Sequence, residues 1–363
     1  MLVRLLTAAL AALALAAPAE AARNVPRGFY GAMYDGAVRD ASPRVQARAW
    51  GRMAANGAES GRAVFSWQNA QPAEGIAFDF SAPDRVVEDA AEHGIELLPI
   101  ALDTPFWARP RVDAWWTTDT DAFAAYMGAL VGRYGPDGSF WAEHPDVPER
   151  PLRHWQIYNE PGLSKRYAPL LKAAHGAVKD ADPGAKIVLA GLTGTDAGTP
   201  WDVLRYQYRR GGIGGWFDIA ALHLYTGKAE NVDDGVRLFR RVMKRNGDRR
   251  KPVWMTEFGI TASKGRTDAP RAQRTLRTTD RGMAKFLAVA YRNLMRRHER
   301  LRLQRAYWYT WASSYERGGD IFEFAGLNEF ADDRLDSKPA LGAYRASARR
   351  DEGCRKTTKG VCR

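Results

Sequence analysis

The chain has 363 residues, of which 45% are hydrophobic and 26% are charged, and its formal net charge is +12. This composition allows a large hydrophobic core and argues against a disordered chain. Beyond the N-terminus no stretch is long and apolar enough to span a bilayer, so we expect no stable membrane insertion of the mature chain.

Residues 1–22 have the pattern of a secretory signal peptide. Arg4 supplies a positive charge, a run of leucine and alanine follows, and the small residues Ala17, Ala19 and Ala21 suit a cleavage site. We therefore expect a secreted, extracellular protein. An uncleaved anchor helix is the alternative.

Eight short β-rich runs alternate with helical patterns along the rest of the chain. Ser42-Pro43 and Ser81–Asp84 have the features of helix N-termini, whereas Gly94 and Gly247 suit helix C-termini. The expected strands are Gly28–Met33, Gly61–Phe65, Glu96–Leu102, Arg153–Tyr158, Lys186–Ala190, Phe217–Leu224, Pro252–Thr256 and Arg305–Thr310.

Repeated alternation of strand and helix predicts parallel strands joined by crossover helices, and eight such units can close into a barrel. The predicted fold class is therefore α/β, a single-domain (β/α)8 TIM barrel, with an open doubly wound sheet as the alternative. The glycine-rich stretch Gly211–Gly215 precedes a strand and so reads as a loop, not a nucleotide-binding turn. The long connection Gly135–Pro151 is either a functional loop or a packed surface loop.

Two of the expected strands lead directly into a glutamate. Glu160 follows Asn159 after the fourth run, and Glu257 follows Thr256 after the seventh. In a barrel the carboxyl ends of the strands form the active-site rim, so both carboxylates face one cleft. A carboxyl group that donates a proton, facing one that attacks or activates water, suits cleavage of a glycosidic bond.

The motifs Asn159-Glu160-Pro161 and Thr256–Gly259 resemble the paired signatures of the clan A glycoside hydrolases, which include cellulase, mannanase and β-xylosidase families. Weaker matches in the same order extend the resemblance over most of the remaining chain. They are Arg133–Pro136 with Phe140-Trp141, Asp182–Lys186, Ala221–Tyr225 and Lys338–Ala340.

The resemblance implies an O-glycosyl hydrolase that cleaves β-glycosidic bonds in oligo- or polysaccharides by double displacement, with Glu160 as acid/base and Glu257 as nucleophile. It implies that Asn159 binds the sugar 2-hydroxyl. It also implies that a tryptophan at the end of the eighth strand forms the floor of the −1 subsite: Trp311 is nearest the expected rim, and Trp308 is the second choice. A rim salt bridge is the alternative role for each glutamate.

Three further residues are expected to bind substrate or to support the nucleophile. Arg62 on the second strand needs a carboxylate partner inside a barrel, and Glu257 is the natural one, which it would keep ionised. His223 and Tyr225 are two residues apart, so both can face the lumen, where residues of the clan contact the −1 sugar or the nucleophile. The alternatives are an outward-facing Arg62 and a histidine satisfied within the core.

Other residues at strand ends carry weaker expectations. Trp67 and Trp107 are either sugar-stacking surfaces or core, and Asp103 either binds a hydroxyl group or caps a turn. The six histidines are scattered without a metal-ligand cluster, so we expect no metal and no cofactor.

The two cysteines, Cys354 and Cys362, both lie in the last ten residues. In an oxidising compartment such a pair usually forms a disulfide, which here would protect the C-terminus. The expected organisation is a signal peptide at 1–22, the barrel at 23–345 and a tail at 346–363.

The positive charge includes three arginine pairs, Arg240-Arg241, Arg249-Arg250 and Arg296-Arg297. They lack the interleaved aromatic residues of a nucleic-acid platform, so we expect a carbohydrate partner and no nucleic acid. The basic surface either attracts acidic polysaccharides or anionic cell envelopes, or is simply solvated. A transglycosylase with the same glutamates and a non-catalytic carbohydrate-binding barrel are the competing functions.

Overall fold

The computed structural model describes residues 23–111, 116–194, 198–316 and 318–353, together with the backbone of two short strands in the tail. Eight parallel strands form its central sheet. They are β1 (Tyr30–Tyr34), β2 (Ser60–Ser66), β3 (Glu96–Leu102), β4 (His154–Ile157), β5 (Lys186–Val188), β6 (Ala220–Tyr225), β7 (Val253–Gly259) and β8 (Leu303–Trp308).

The sheet closes into the predicted barrel. Its strand order is β5-β4-β3-β2-β1-β8-β7-β6. The remaining seam, between β5 and β6, is bridged by the parallel pairs Val188–Ile219 and Leu192–Leu222. This closure excludes the open doubly wound sheet. All eight expected strands are confirmed, although β7 continues past Thr256 and so includes Glu257.

Helices connect the strands and cover the outside of the barrel. They are α1 (Pro43–Ala55), α2 (Trp67–Ala70), α3 (Ser81–Glu92), α4 (Thr120–Tyr134), α5 (Ser139–Glu143), α6 (Tyr167–Ala181), α7 (Pro200–Tyr206), α8 (Val232–Arg245), α9 (Asp280–Leu301) and α10 (Pro339–Asp351). Among the described residues, no helix is both long and apolar enough to cross a membrane.

Local sequence explains several helix ends. Proline at the first position of α1 has the backbone angle that a helix needs there. Gly94 and Gly247, beyond the ends of α3 and α8, have φ angles of 71° and 86°, which glycine adopts without the strain of a Cβ atom. The expected loop 135–151 differs from prediction in containing the short helix α5.

The layer between strands and helices is filled by large aromatic residues. Trp50 of α1 stacks on Tyr34 of β1 with 4.6 Å between the ring centroids, and Gly61 of β2 leaves room for the indole. Each fully buried side chain of this kind contributes about 1.5–3 kcal/mol through removal of apolar surface from water. This packing fixes the helices and therefore the strand ends that carry polar residues.

The chain after β8 covers part of the barrel rim. A small sheet forms from β9 (Ala312–Ser313), β10 (Asn328–Ala331) and β11 (Arg334–Ser337), with a 3-10 turn at Ile321–Phe324. Helix α10 then packs on α9 and continues to Asp351, past the expected barrel end at residue 345.

In the tail, β12 (Thr357–Thr358) and β13 (Val361–Cys362) pair antiparallel. Cys354 and the side chain of Cys362 lie outside the described residues, and so does the segment 1–22. The disulfide and the signal peptide therefore stay predictions.

Candidate active site

A cavity of about 770 Å³ opens at the carboxyl ends of the strands. Its wall includes Asn159, Glu160, His223, Tyr225 and Glu257, five of the residues that the sequence indicated. Ligands of a TIM barrel bind at this face, so the location fits a substrate site.

Irregular backbone after β4 presents Glu160 to the cavity. Tyr158 and Glu160 both have positive φ angles, 66° and 42°, which cost free energy in residues other than glycine. Two interactions with Gly191 hold the turn: Asn159 forms a parallel bridge with it, and the Glu160 amide donates to its carbonyl oxygen at 3.2 Å. The Glu160 side chain remains 36% exposed, so water can reach it.

Glu257 lies within β7, and its side chain is only 9% exposed. The Arg62 guanidinium donates to Glu257 Oε1 at 2.6 Å, and the Tyr225 hydroxyl donates to Oε2 at 2.6 Å. Burial raises the pKa of Glu257. Attraction to His223 and Arg62, with hydrogen bonds from Tyr225 and Arg62, outweighs burial and lowers this pKa below its ordinary value. Glu257 is therefore held as a carboxylate.

The fully buried Arg62 organises three polar residues at once. Besides Glu257, its Nε donates to Gln156 Oε1 at 2.6 Å and its Nη2 donates to Asn159 Oδ1 at 2.8 Å. Because the Asn159 oxygen faces a cation, its NH2 group remains available as a donor. The structure thus confirms Glu257 as the partner of Arg62 and adds Gln156, which the sequence analysis missed.

His223 lies between the two glutamates and is fully buried. Its Nδ1 is 2.7 Å from Glu160 Oε1 and 3.4 Å from Glu257 Oε2. Its Nε2 has no hydrogen-bond partner among the described residues and faces Gly191, where a Cβ atom would overlap the imidazole. The absence of a side chain at position 191 therefore sets where the ring lies.

The two tryptophans expected as the −1 floor lie elsewhere. Trp308 and Trp311 are fully buried, and neither lines the cavity. Trp308 packs outward against Phe286 of α9, because strand alternation turns it away from the lumen. Tyr309, directly after β8, lines the cavity instead, and sequence proximity to the rim did not single it out.

Tyr309 belongs to a small aromatic group on the cavity wall. Its ring meets Tyr225 and Phe322 edge to face, with centroid distances of 6.1 and 5.9 Å. Trp67 and Trp107, by contrast, contact each other edge to face and do not line the cavity, which favours their core interpretation. Asp103 does line it, with a φ of 65°.

The cavity wall is rich in carboxylates. Asp35, Asp103, Asp320 and Glu323 lie there in addition to the two central glutamates. Burial raises the pKa of Asp35, while the Gly36 amide and Arg39 oppose the change. Arg39 is the only arginine or lysine among the lining residues that the structure describes.

One set of potential metal ligands emerges among the described residues. An oxygen of Glu160, a ring nitrogen of His223 and an oxygen of Glu257 all lie within 4.8 Å of one another. These are the same atoms that the hydrogen bonds above already engage.

The chain matches one protein-family model and many solved structures. The family model of the glycosyl hydrolase catalytic core matches residues 156–316, a span that includes Asn159, Glu160, His223, Tyr225, Glu257 and Tyr309 but not Arg62. No curated protein sequence matches the chain.

Solved structures of glycoside hydrolases have the same fold. A family 39 glycoside hydrolase from Bacteroides cellulosilyticus is 18% identical, with a TM-score of 0.67 over 90% of this chain and 64% of that one. A β-glycosidase is 14% identical, with a TM-score of 0.64 over 92% and 99%. A monomeric β-xylosidase from Caulobacter crescentus is 17% identical, with a TM-score of 0.62 over 90% and 69%. The chain thus spans less than two thirds of the family 39 enzyme.

Proposed function

We propose that this chain, which carries a glycosyl hydrolase catalytic core on a (β/α)8 barrel, is a secreted retaining β-glycosidase. The spacing of the two glutamates supports it most directly, since one oxygen of each lies within 4.8 Å of the other. Retaining glycosidases hold their carboxyl groups about 5–5.5 Å apart, whereas inverting enzymes leave about 6.5–9.5 Å for a water molecule.

The two environments favour different roles for the glutamates. Glu257 is nearly buried, ionised and fixed by Arg62 and Tyr225, as a nucleophile should be. Glu160 is more exposed and hydrogen-bonds only His223 among the described side chains, so it can exchange protons with leaving group and water. When two carboxyl groups differ in environment, their pKa values differ, and one can act as an acid while the other stays ionised.

The reaction then runs in two displacements. Glu160 protonates the glycosidic oxygen while a Glu257 oxygen attacks the anomeric carbon, forming a covalent glycosyl ester and releasing the leaving group. Glu160, now ionised, takes a proton from water as the water attacks the same carbon and frees Glu257. The Asn159 NH2 group donates to the sugar 2-hydroxyl, and the Tyr309 ring supports the sugar face.

The charge of the wall indicates the kind of sugar. Four carboxylates besides the central pair, with Arg39 as their counter-charge, would repel a uronate carboxylate in a site of low dielectric constant. Neutral β-linked sugars are therefore the proposed substrates. On a panel of aryl β-glycosides we expect turnover of gluco-, manno- or xylosides and not of glucuronides; turnover of glucuronides alone would contradict this choice.

Azide rescue of two alanine variants tests the mechanism. Glu160→Ala should retain the first step on an activated aryl glycoside, accumulate the intermediate and yield a β-glycosyl azide, because azide needs no base. Glu257→Ala should turn over very slowly and yield the α-azide from the vacated face. The opposite stereochemistry would reverse the assignment, and unaffected turnover in both variants would rule out the two-carboxylate mechanism.

Two competing functions remain distinguishable by product analysis. A transglycosylase would pass the sugar to added acceptor sugars in preference to water. A non-catalytic binding barrel would bind oligosaccharides without any turnover.

For secretion, the N-terminal sequence of protein recovered from culture medium should begin near residue 23.

A further inference from the structure

The positive charge of the chain is concentrated on two neighbouring helices. Helix α8 with the loop to Lys251, and α9 with Arg302, contain fifteen lysines and arginines against five carboxylates. These segments therefore carry +10 of the net +12 of the whole chain. The two helices pack against each other, so their outer sides form one surface, which we call the α8–α9 basic face.

Most of these cations have no partner. Asp233, Asp234 and Asp248 form ion pairs with Arg297, Arg237 and Lys251. Eleven of the fifteen lysines and arginines are exposed and make no side-chain ion pair with any residue that the structure describes. An ordinary solvated surface mixes the two signs of charge, and this one does not.

The spacing along the helices makes the clustering costly. Arg241 and Arg245 are four residues apart on α8, as are Arg292 and Arg296 on α9. Like charges at this spacing repel, by about 0.2–0.5 kcal/mol for each pair. A bound polyanion would offset this repulsion, because its negative charges attract the arginines on both helices.

The loop between α8 and β7 is held in a conformation that leaves two of its arginines exposed. Arg240 is buried, and its guanidinium donates to the carbonyl oxygens of Lys251 and Arg249 at 2.6 and 2.7 Å. These bonds fix the loop at the end of α8 and leave Arg249 and Arg250 exposed. One arginine thus positions two others.

The face offers charge without apolar anchors. The exposed large hydrophobic residues among those described are Ile76, Phe106, Leu163 and Trp216, and none lies on α8 or α9. Stacking of single-stranded bases and insertion into lipid both need such residues. Nine of the eleven unpaired cations are arginines, whose planar fork matches a carboxylate in a bidentate manner.

We propose that the α8–α9 basic face binds an acidic polysaccharide, whose uronate carboxylates pair with its arginines, and that this polymer is an anchor and not the substrate. No residue of α8 or α9 lines the cavity, so an anchored enzyme keeps its active site open. The carboxylate-rich cavity wall opposes entry of the same polymer. Binding of this polymer does not depend on catalysis by the barrel.

Binding of polygalacturonate to the full chain, with neutral dextran as control polymer, tests the proposal. We expect wild-type binding at low salt that weakens steeply as salt rises, and no binding of dextran. Arg292→Glu/Arg296→Glu and Arg241→Glu/Arg245→Glu should each weaken binding about tenfold or more. The control Arg44→Glu/Arg345→Glu makes the same charge change on the exposed surface of α1 and α10 and should leave affinity within about twofold.

Equal weakening by the control would show a response to net charge alone and would overturn the proposal, as would the absence of wild-type binding. Tighter binding of duplex DNA or of anionic lipid vesicles at the same salt concentration would also overturn it. Arg292→Gln/Arg296→Gln gives the same comparison if charge reversal impairs folding. Because binding is measured directly, a barrel that proves inactive on glycosides leaves this test intact.

Discussion

Arg62 determines more of the site than any other single residue. Its three donors fix Glu257, the proposed nucleophile, together with Asn159 and the buried Gln156. Gln156 in turn donates to the Leu189 carbonyl oxygen at 2.9 Å, which ties the arginine to the backbone just after β5. A buried cation with several acceptors is compensated for its loss of water, so the nucleophile gains both charge stabilisation and a fixed orientation.

Tyr225→Phe should change the pH dependence of catalysis. The Tyr225 hydroxyl helps to lower the pKa of Glu257, so its removal raises that pKa. The acid limb of the kcat/KM profile should therefore move to higher pH. The control Tyr309→Phe removes a hydroxyl from the same cavity without a hydrogen bond to Glu257. An equal shift of the acid limb in both variants would contradict this role.

The sequence predicted the residues whose roles follow from position on a strand. Strand ends identified Glu160 and Glu257, and two-residue alternation identified His223 with Tyr225. Gln156 was missed because an amide carries no charge and so does not require a charged partner. It could have been found from Arg62, because a buried guanidinium needs several hydrogen-bond acceptors nearby. Trp308 and Trp311 were expected at the cavity but do not line it, whereas Tyr309 does, because the turn after β8 that decides which of these rings faces the cavity has no signature in the sequence.

At the scale of elements, the end of β8 divides its aromatic residues between two environments. Trp308 packs outward and its Nε1 donates to the Ala325 carbonyl oxygen at 3.1 Å. Trp311 is fully buried, and its amide donates to the Met33 carbonyl oxygen at 2.9 Å. Of these three aromatic residues only Tyr309 lines the cavity, so one irregular turn separates a residue that faces the cavity from two that are buried.

Two substitutions after β8 should therefore have different effects. Tyr309→Ala should lower kcat/KM on aryl glycosides about tenfold or more with little loss of stability, because it removes a sugar-facing ring. Trp311→Phe should lower the free energy of unfolding by about 1–3 kcal/mol with nearly unchanged kinetics, because it leaves space in the core. Steady-state kinetics and thermal denaturation measure both. A kinetic defect confined to Trp311→Phe would restore tryptophan as the floor of the subsite.

At the scale of the whole molecule, the N-terminal segment and the end of α10 meet at the opposite side of the barrel from the cavity. The Asn24 amide donates to the Asp351 carbonyl oxygen at 2.8 Å, and the Tyr30 hydroxyl donates to Asp351 Oδ2 at 2.5 Å. Glu352 is buried beside them, and burial together with the nearby Glu59 raises its pKa to about 9, against the effect of Arg23.

Glu352→Gln should stabilise the fold at neutral and mildly alkaline pH. Folded Glu352 keeps a proton up to about pH 9, whereas the unfolded carboxyl loses it near its ordinary pKa. The free energy of unfolding must therefore fall as pH rises between these values. Glutamine has no proton to lose, so the variant should gain about 1–3 kcal/mol at pH 8 and little at pH 4.

Denaturant unfolding at the two pH values measures this difference. Exposed Glu149→Gln provides the control and should change stability little at either pH. An equal gain at pH 4 and pH 8 would mean that packing, not the proton, produces the effect.

The contact between Gly191 and His223 has a consequence for how this site can change. Any side chain at position 191 occupies the space of the imidazole, which has no room to retreat because Glu160 and Glu257 lie on its other side. A side chain therefore cannot be added at position 191, just after β5, while His223 of β6 keeps its place. The two positions form one unit of variation, and a new residue at 191 requires a smaller residue at 223 in the same step.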